Sequence, residues 1–296
     1  MPKLALGTVQ FGLAYGLSRP DAPVSLAKIR EILRTAWEAE VDMLDTAPVY
    51  GDAEKRIGAS RPAAAQFSVV SKVARFAVDE ISAADIAQFQ SCVRRSLEQL
   101  GTDRLYALLV HSPDDLLKPG ASDLVRALVD LKSAGLTERI GVSVYDRDML
   151  DAVAGILPYD LVQLPLNVLD QRLARDGTIR SLAARGIEVH VRSVFLQGVL
   201  LLWPDALPPR LAGAREQVLK FWRVADEAGL SPPAAALSYV VHQEGVSRIV
   251  IGVDDVASLT ENLEAMRVAT SRPMPAALND LGLDDLDVVD PRRWVD

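Results

Sequence analysis

Short apolar runs alternate with amphipathic stretches along the whole chain. Eight runs are nearly continuous in hydrophobic residues, which is typical of parallel strands covered on both faces. They are Leu4–Gly7, Met43–Thr46, Phe67–Lys72, Tyr106–Val110, Ile140–Val144, Leu161–Leu164, Val189–Val194 and Ile249–Gly252. Apolar residues between the runs recur every three or four positions, which predicts helices. Eight strand–helix units in 296 residues favour a closed (β/α)8 TIM barrel, in the α/β class, over an open sheet.

Several helix boundaries are marked by capping residues. Ser25 is expected to cap the first long helix. Ser82 followed by Asp85 has the capping-box pattern, and Gly101 is expected to end the helix that begins there.

Two segments depart from the strand–helix repeat. Residues 195–213 form a long connection rich in Leu and Pro after the seventh strand, which we interpret as a lid or a cofactor clamp. Residues 271–296 form an acidic tail with three prolines, expected either to cap the barrel or to pack on its surface. The predicted organisation is a single barrel domain, residues 1–296.

Composition narrows the class of protein. The chain is 49% hydrophobic and carries a formal net charge of −8, which argues against nucleic acid or an anionic membrane as partner. A single cysteine, Cys92, cannot form an internal disulfide, and the sequence has neither a signal-peptide pattern nor a long uncharged apolar run. These features predict a cytoplasmic enzyme. His190 and His242 lie apart from any metal-ligand spacing, so we expect no metal.

Four chemically active side chains follow three successive predicted strands. Asp45 ends the second strand, Lys72 the third and His111 the fourth, and Tyr50 lies five residues past Asp45. The carboxyl ends of barrel strands surround the active-site mouth, so these side chains are expected to converge. The Lys72 ammonium would stabilise a Tyr50 phenolate, and Asp45 would hold the lysine charged. His111 would orient a substrate carbonyl. The four residues would then supply the proton for a reduction, and the hydride would have to come from another molecule.

Each of these residues also has a purely structural interpretation. Asp45 could cap a helix, Lys72 could be a solvated strand end, and His111 could satisfy a turn. The order of the four, each at or just after a strand terminus, favours the catalytic interpretation.

The chain resembles the aldo-keto reductases from about Gly7 to Asn262. The resemblance is carried by Asp45–Gly51, Ser71–Lys72, His111–Pro113, Gly141–Ser143, Gln163–Asn167, Gln197–Leu200 and Glu261–Asn262. It implies a barrel that binds a nicotinamide cofactor, NADP or NAD, and reduces an aldehyde or ketone, with Tyr50 as general acid. It also implies the cofactor-binding residues Gly7, Thr8, Asp45, Ser143, Gln163, Arg192, Ser193, Phe195, Leu196, Gly198, Gly252, Ser258, Glu261 and Asn262.

The chain departs from the family pattern beside the expected nicotinamide site. Many relatives carry an aromatic residue on the seventh strand that stacks on the nicotinamide, and here the aligned residue is Arg192. A guanidinium plane can also stack, and this residue could instead mark a subgroup that handles an anionic substrate. The family usually has Asn after Ser143, whereas this chain has Val144, which removes a hydrogen-bond partner.

The segment after the eighth strand bears on the choice of dinucleotide. Relatives that prefer NADP present Lys or Arg there, but this chain has Asp254, Asp255 and Ser258. The two carboxylates either repel a 2′-phosphate or only cap the next helix, and Arg248 and Arg267 could compensate. Because most relatives use NADP, we expect NADP as the first choice and NAD as the second.

The expected partners are small molecules, bound by a monomer or a small homo-oligomer. Substrate-pocket candidates are Phe11, Val49, Phe76, Tyr145 and Trp203, each of which could instead be packing. Two other functions remain open. One is a cofactor-binding sensor or regulatory barrel with little turnover, and the other is a lyase or isomerase that uses Lys72 as a Schiff base, which Asp45 disfavours.

Overall fold

The chain folds as a closed barrel of eight parallel strands. The structure, a computed structural model, describes residues 1–17 and 22–294, so the last two residues of the tail segment lie outside it. The strands are β1 Lys3–Gly7, β2 Met43–Asp45, β3 Ser68–Val73, β4 Leu105–Val110, β5 Thr137–Ser143, β6 Leu161–Pro165, β7 Glu188–Arg192 and β8 Arg248–Gly252. Each strand pairs in parallel with the next, and β8 pairs with β1. The expected (β/α)8 TIM barrel is confirmed.

Helices fill the connections between the strands. They are α1 Val9–Gly12, α2 Leu26–Glu38, α3 Ala53–Gly58, α4 Ala83–Leu100, α5 Ala121–Ser133, α6 Arg147–Ala152, α7 Arg172–Arg175, α8 Thr178–Ala184, α9 Arg215–Glu227, α10 Pro232–Val241, α11 Val256–Ser271 and α12 Leu286–Val289. Short 3₁₀ helices span Pro113–Leu117, Leu196–Leu201, Pro204–Ala206, Pro209–Ala214, Ala276–Leu281 and Pro291–Arg293. Among the described helices, none combines the length and apolarity required to cross a bilayer.

The predicted helix caps are confirmed. The Ser25 side chain accepts a hydrogen bond from the backbone N–H of Lys28. Ser82 and Asp85 form a reciprocal capping box at the start of α4, and Gly101 ends that helix in the left-handed conformation with φ of 65°.

The barrel interior is organised by the period of two along each strand. A buried apolar layer fills its lower half with Ala5, Met43, Val70, Ala107, Leu109, Leu161 and Val250. Side chains two residues further along a strand point to the same side. Asp45 therefore follows Met43, Lys72 follows Val70, and Gln163 follows Leu161 into a polar layer at the carboxyl end of the barrel.

The two segments outside the repeat both pack on the barrel. In residues 195–213, Leu196, Val199 and Leu200 are fully buried, whereas Trp203 is half exposed and packs edge-to-face on Trp222. In the described part of the tail, the buried hydrophobic residues are Leu278, Leu281, Val288 and Val289. The Leu283 N–H donates to the Leu169 carbonyl at 2.7 Å, which ties the tail to the loop after β6.

Helix α1 lies directly against the loop that carries Tyr50. A Cβ atom added to Gly12 would lie 1.7 Å from the carbonyl oxygen of Tyr50 and 2.6 Å from the backbone nitrogen of Ala53. Both neighbours are backbone atoms, so no side-chain rotation can relieve the overlap. The residue at position 12 therefore sets how closely α1 and the Tyr50 loop approach each other.

We predict that Gly12→Ala lowers the free energy of unfolding by about 2–3 kcal/mol, since overpacking forces backbone shifts. The measurement is urea unfolding followed by circular dichroism. Gly213→Ala is the matched control, because its added Cβ would meet Val288 at an ordinary 3.6 Å. Equal stability of the two variants would contradict the close approach of α1 to the Tyr50 loop.

Candidate active site

A buried ion pair lies at the centre of the polar layer. Lys72 Nζ is 2.7 Å from Asp45 Oδ1 and donates a second hydrogen bond to the Thr46 carbonyl at 3.0 Å. The side chains of Lys72 and Asp45 are 1% and 7% exposed. The Gln163 amide donates to the other Asp45 oxygen at 2.7 Å, so β2, β3 and β6 are joined through one carboxylate. Burial lowers the pKa of Lys72, but Asp45 and Tyr50 outweigh it and raise that pKa, which keeps the ammonium charged.

Tyr50 and His111 lie next to this pair. Lys72 Nζ is 5.2 Å from the centroid of the Tyr50 ring, and the Tyr50 and His111 rings meet edge-to-face with centroids 6.4 Å apart. Burial, reinforced by the positive charges of Lys72 and Arg192, lowers the pKa of His111 to about 4. The imidazole is therefore neutral at pH 7. The structure brings together all four residues of the expected catalytic set.

A second buried carboxylate, which the sequence analysis did not single out, lies outside the barrel wall behind Lys72. Glu54 of α3 accepts hydrogen bonds from Ser71 Oγ at 2.7 Å and Ser96 Oγ at 2.8 Å. Ser71 precedes Lys72 on β3, and α3 follows the Tyr50 loop. Glu54 therefore fixes that loop and the lysine strand to each other and to α4.

A cavity of about 360 Å³ opens above the ion pair. Of the residues expected at the site, it is lined by Gly7, Thr8, Asp45, Tyr50, His111, Tyr145, Gln163, Arg192, Ser193, Phe195, Gly198 and Gly252. Tyr15, Gln197 and Asp254 also line it and were not among the expected site residues. Tyr15 follows β1 in an irregular stretch with no hydrophobic period, so no sequence signal pointed to it. Its partial burial, followed by the proximity of Tyr50, raises the pKa of Tyr15 to about 12.

Some expected site residues do not reach the cavity. Lys72 lies beneath it, behind Asp45, and Ser143 is buried 3.5 Å from the Gln163 side-chain oxygen. Leu196 is fully buried in the hydrophobic core. Ser258, Glu261 and Asn262 lie on α11, outside the cavity wall.

Four of the five substrate-pocket candidates do not line this cavity. Phe11 is fully buried in the core, because α1 turns this side chain inward. Phe76 packs in the core against Phe89, with ring centroids 6.4 Å apart. Val49 is 47% exposed and lies outside the cavity, as does Trp203. Tyr145 alone of the five lines it.

One side of the cavity has a turning backbone that suits an anionic ligand. Ser193, Leu196, Gln197 and Gly198 all have positive φ, between 47° and 102°. Non-glycine residues in this region cost of order 1 kcal/mol each, and such strain concentrates at binding sites. Turning backbone of this kind can form a concavity that binds phosphate, although here the Leu196 and Gly198 N–H groups donate to the Ser193 and Phe195 carbonyls. These residues, together with the Gln163 amide and the backbone at Gly7 and Gly252, fit an extended dinucleotide.

The segment after β8 carries acidic rather than basic groups at the cavity. Asp255 and Ser258 form a capping box at the start of α11, so the helix-cap interpretation of Asp255 holds. Asp254 lines the cavity, and burial, with Asp255 next, raises the pKa of Asp254. Neither arginine expected to compensate is free. Arg248 pairs with Asp42, and Arg267 pairs with Glu264.

The protein is a barrel with a buried Asp45–Lys72 pair beneath Tyr50 and His111. This combination defines a class of protein. Residues 3–281 match the model of the Aldo/keto reductase family. The chain belongs to this family and is therefore an oxidoreductase.

Three distant relatives match over most of the chain. The 6-dehydroglucose reductase of Novosphingobium aromaticivorans is 24% identical, over 91% of this chain and 89% of that protein. The L-galactose dehydrogenase of Arabidopsis thaliana is 24% identical, over 89% of this chain and 85% of that protein. The solved structure of glycerol dehydrogenase from Gluconobacter oxydans superposes with a TM-score of 0.71 at 21% identity, over 97% of this chain and 92% of that one, and has the same fold.

The low pKa of His111 predicts a pH dependence of stability. The folded-state value of about 4 lies below the ordinary 6.5, so as the pH falls the unfolded chain binds the proton first. The stability contributed by neutral His111 is complete above pH ~6.5 and is lost as the pH falls toward ~4. Between pH 7 and 4, wild type should lose up to about 3 kcal/mol more than His111→Asn. Urea unfolding at four pH values measures this, and parallel curves for the two proteins would contradict it.

Proposed function

We propose that the protein is an NAD(P)-dependent carbonyl reductase, or an alcohol or sugar dehydrogenase in the reverse direction, with Tyr50 as the general acid. The observation that carries the proposal is the cavity lined by Tyr50 and His111 directly above the buried Asp45–Lys72 pair. We further propose that it acts on a small molecule in the cytoplasm, as the low cysteine content and acidic composition suggest.

The residues of the chain handle the proton in this reaction. The bound nicotinamide cofactor supplies or accepts the hydride. During reduction, the Tyr50 hydroxyl transfers its proton to the carbonyl oxygen, which gives the alcohol, and solvent later restores that proton. Lys72 stabilises the resulting phenolate by its charge, because Asp45 holds the ammonium in place.

His111 is suited to orient the carbonyl rather than to protonate it. With a pKa of about 4, its imidazole is neutral at pH 7 and has no acidic proton to transfer. A neutral imidazole still donates one N–H hydrogen bond. We assign it to the carbonyl oxygen beside the Tyr50 hydroxyl, where it fixes the direction of proton transfer.

The cofactor is proposed to lie along the wall formed by Gly7, Thr8, Ser193, Gly198 and Gly252. The Gln163 amide donates one N–H to Asp45 and its oxygen faces Ser143, so its second N–H is the candidate donor to the nicotinamide carboxamide and Ser143 supports Gln163 from behind. Ser258, Glu261 and Asn262 remain candidates for the distal ribose only, because they lie outside the cavity.

Sugars are the first substrates to test. Relatives at 24% identity are named as a 6-dehydroglucose reductase, an L-galactose dehydrogenase and a D-threo-aldose 1-dehydrogenase. Polyhydroxylated carbonyl compounds also suit a cavity of about 360 Å³ rimmed by Tyr15, Tyr145 and Asp254.

Replacing Tyr50 by Phe tests the reaction class. We expect kcat for reduction of a reactive aromatic aldehyde to fall by roughly three orders of magnitude or more, because the general acid is lost. Cofactor Kd, measured by quenching of tryptophan fluorescence, should stay within about twofold.

Tyr159→Phe is the matched control, because Tyr159 packs against the core outside the cavity. Activity that survives in Tyr50→Phe would overturn the assignment of the acid. Tight cofactor binding by wild type without oxidation of NADH or NADPH would favour the sensor alternative.

The preference between NADP and NAD follows from the charges near β8. Most relatives use NADP, but Asp254 lines the cavity, and Arg248 and Arg267 are paired with Asp42 and Glu264 rather than with it. We therefore propose that NADH is used at least as well as NADPH.

Asp254→Asn should raise affinity for NADPH relative to NADH by roughly three- to fivefold, because one repulsive charge is removed. Fluorescence titration of both dinucleotides measures the ratio of their Kd values. Asp123→Asn, on α5 away from the cavity, is the control. An unchanged ratio in Asp254→Asn would show that this carboxylate does not face the ribose.

A further inference from the structure

Arg192 places a guanidinium in the cavity without an acidic partner. The residue ends β7 and lines the cavity together with Tyr50 and His111. Its guanidinium donates to the Val144 carbonyl at 3.2 Å and to Ser193 Oγ at 3.4 Å. Both partners are uncharged, and among the described residues no carboxylate forms an ion pair with Arg192.

The arginines around it are neutralised by carboxylates. Arg172 lies 2.8 Å from Asp170, and Arg292 of the tail lies 2.6 Å from Asp290. Arg192 therefore differs from its neighbours in its lack of a counter-ion rather than in its position near the barrel mouth.

The Tyr145 ring lies between the guanidinium of Arg292, which is paired with Asp290, and that of Arg192. Arg192 Cζ lies 4.1 Å and Arg292 Cζ 3.7 Å from the centroid of the Tyr145 ring. Two guanidinium groups cannot share one face of a ring at these distances, so they stack on opposite faces. The stack holds the Arg192 plane in place, which reduces the conformational entropy that ligand binding would cost.

The carboxylates that line the cavity do not form an ion pair with Arg192. Asp45 pairs with Lys72, and Asp254 also lines the cavity but, among the described residues, makes no ion pair with Arg192. The positive potential reaches the catalytic groups, since Arg192 contributes to the low pKa of His111. A half-buried guanidinium has five N–H donors, of which two are used here in long hydrogen bonds. An anion is the ligand that satisfies such a group.

We propose that Arg192 binds the anionic group of the substrate, so that the enzyme acts on a carbonyl compound that carries a carboxylate or a phosphate ester, such as a sugar acid. This inference rests on the proposed function, because it places the substrate carbonyl at Tyr50 and His111. The same guanidinium could in principle hold a phosphate of the dinucleotide, and the experiment separates the two sources.

The test compares two aldehydes that differ only in charge. The anionic one is 4-carboxybenzaldehyde and the neutral one is its methyl ester, with 2-carboxy- and 3-carboxybenzaldehyde and their esters added to vary the distance between charge and carbonyl. The readout is the ratio of kcat/KM for acid over ester at a saturating concentration of dinucleotide. Because both aldehydes meet the same enzyme, changes in folding or cofactor affinity cancel in this ratio.

We expect at least one acid to be preferred by wild type, and Arg192→Met to lower that ratio by roughly ten- to a hundredfold, the range for a lost hydrogen bond to a charged group. Arg192→Lys keeps the charge without the planar fork and should restore part of the ratio. Arg126→Met is the matched control, because Arg126 pairs with Asp123 on α5 outside the cavity, and it should leave the ratio within about twofold.

Three outcomes are distinct. If wild type reduces neither acid nor ester with either dinucleotide, the proposed function fails. If it reduces both and the ratio is the same in wild type and Arg192→Met for all three isomers, the reductase stands and the anion site is wrong. An unchanged ratio together with a tenfold or larger increase in the Kd of the dinucleotide in Arg192→Met would assign the guanidinium to a cofactor phosphate.

Discussion

The buried Asp45–Lys72 pair is the interaction on which the site depends. Moving two charges out of water costs several kcal/mol per ion unless further hydrogen bonds satisfy them. Here Gln163 and the Thr46 carbonyl supply those bonds. Because the pair and these partners come from β2, β3 and β6, the two buried charges are compensated only while the barrel is closed. The fold is thus a precondition for a charged lysine beneath Tyr50, and a charged lysine is what stabilises a phenolate.

The same strands contribute two layers of side chains to the barrel interior, and the two layers differ in role. The lower layer is apolar and fills the barrel, whereas the next inward position on several strands carries the polar groups of the site. One layer stabilises the fold and the other lines the candidate site, and a one-residue slip of register would turn both layers out of the barrel interior. Glu54 secures this register from outside, because it fixes Ser71 next to Lys72.

Much of this arrangement could be predicted from sequence, for a physical reason. Strand ends in a barrel converge, so residues that close successive apolar runs meet in space although 66 positions separate Asp45 from His111. Residues in loops and short helices have no such rule. Phe11 and Phe76 follow strand ends yet turn into the core, and Tyr15 reaches the cavity from an irregular stretch. The contact between Tyr145 and Arg292 joins the barrel mouth to the tail, and no local pattern encodes it.

The charges of the cavity point to a division of roles between its two basic side chains. His111 is driven to the neutral state by burial and by the cations near it, whereas a guanidinium cannot lose its proton in the physiological range. Arg192 therefore keeps its charge and His111 loses it. A permanent positive charge next to a neutral hydrogen-bond donor binds an anionic group without competing with Tyr50 for the role of acid. On the proposed function, Arg192 decides which ligand the cavity attracts, and the proton chemistry is left to Tyr50.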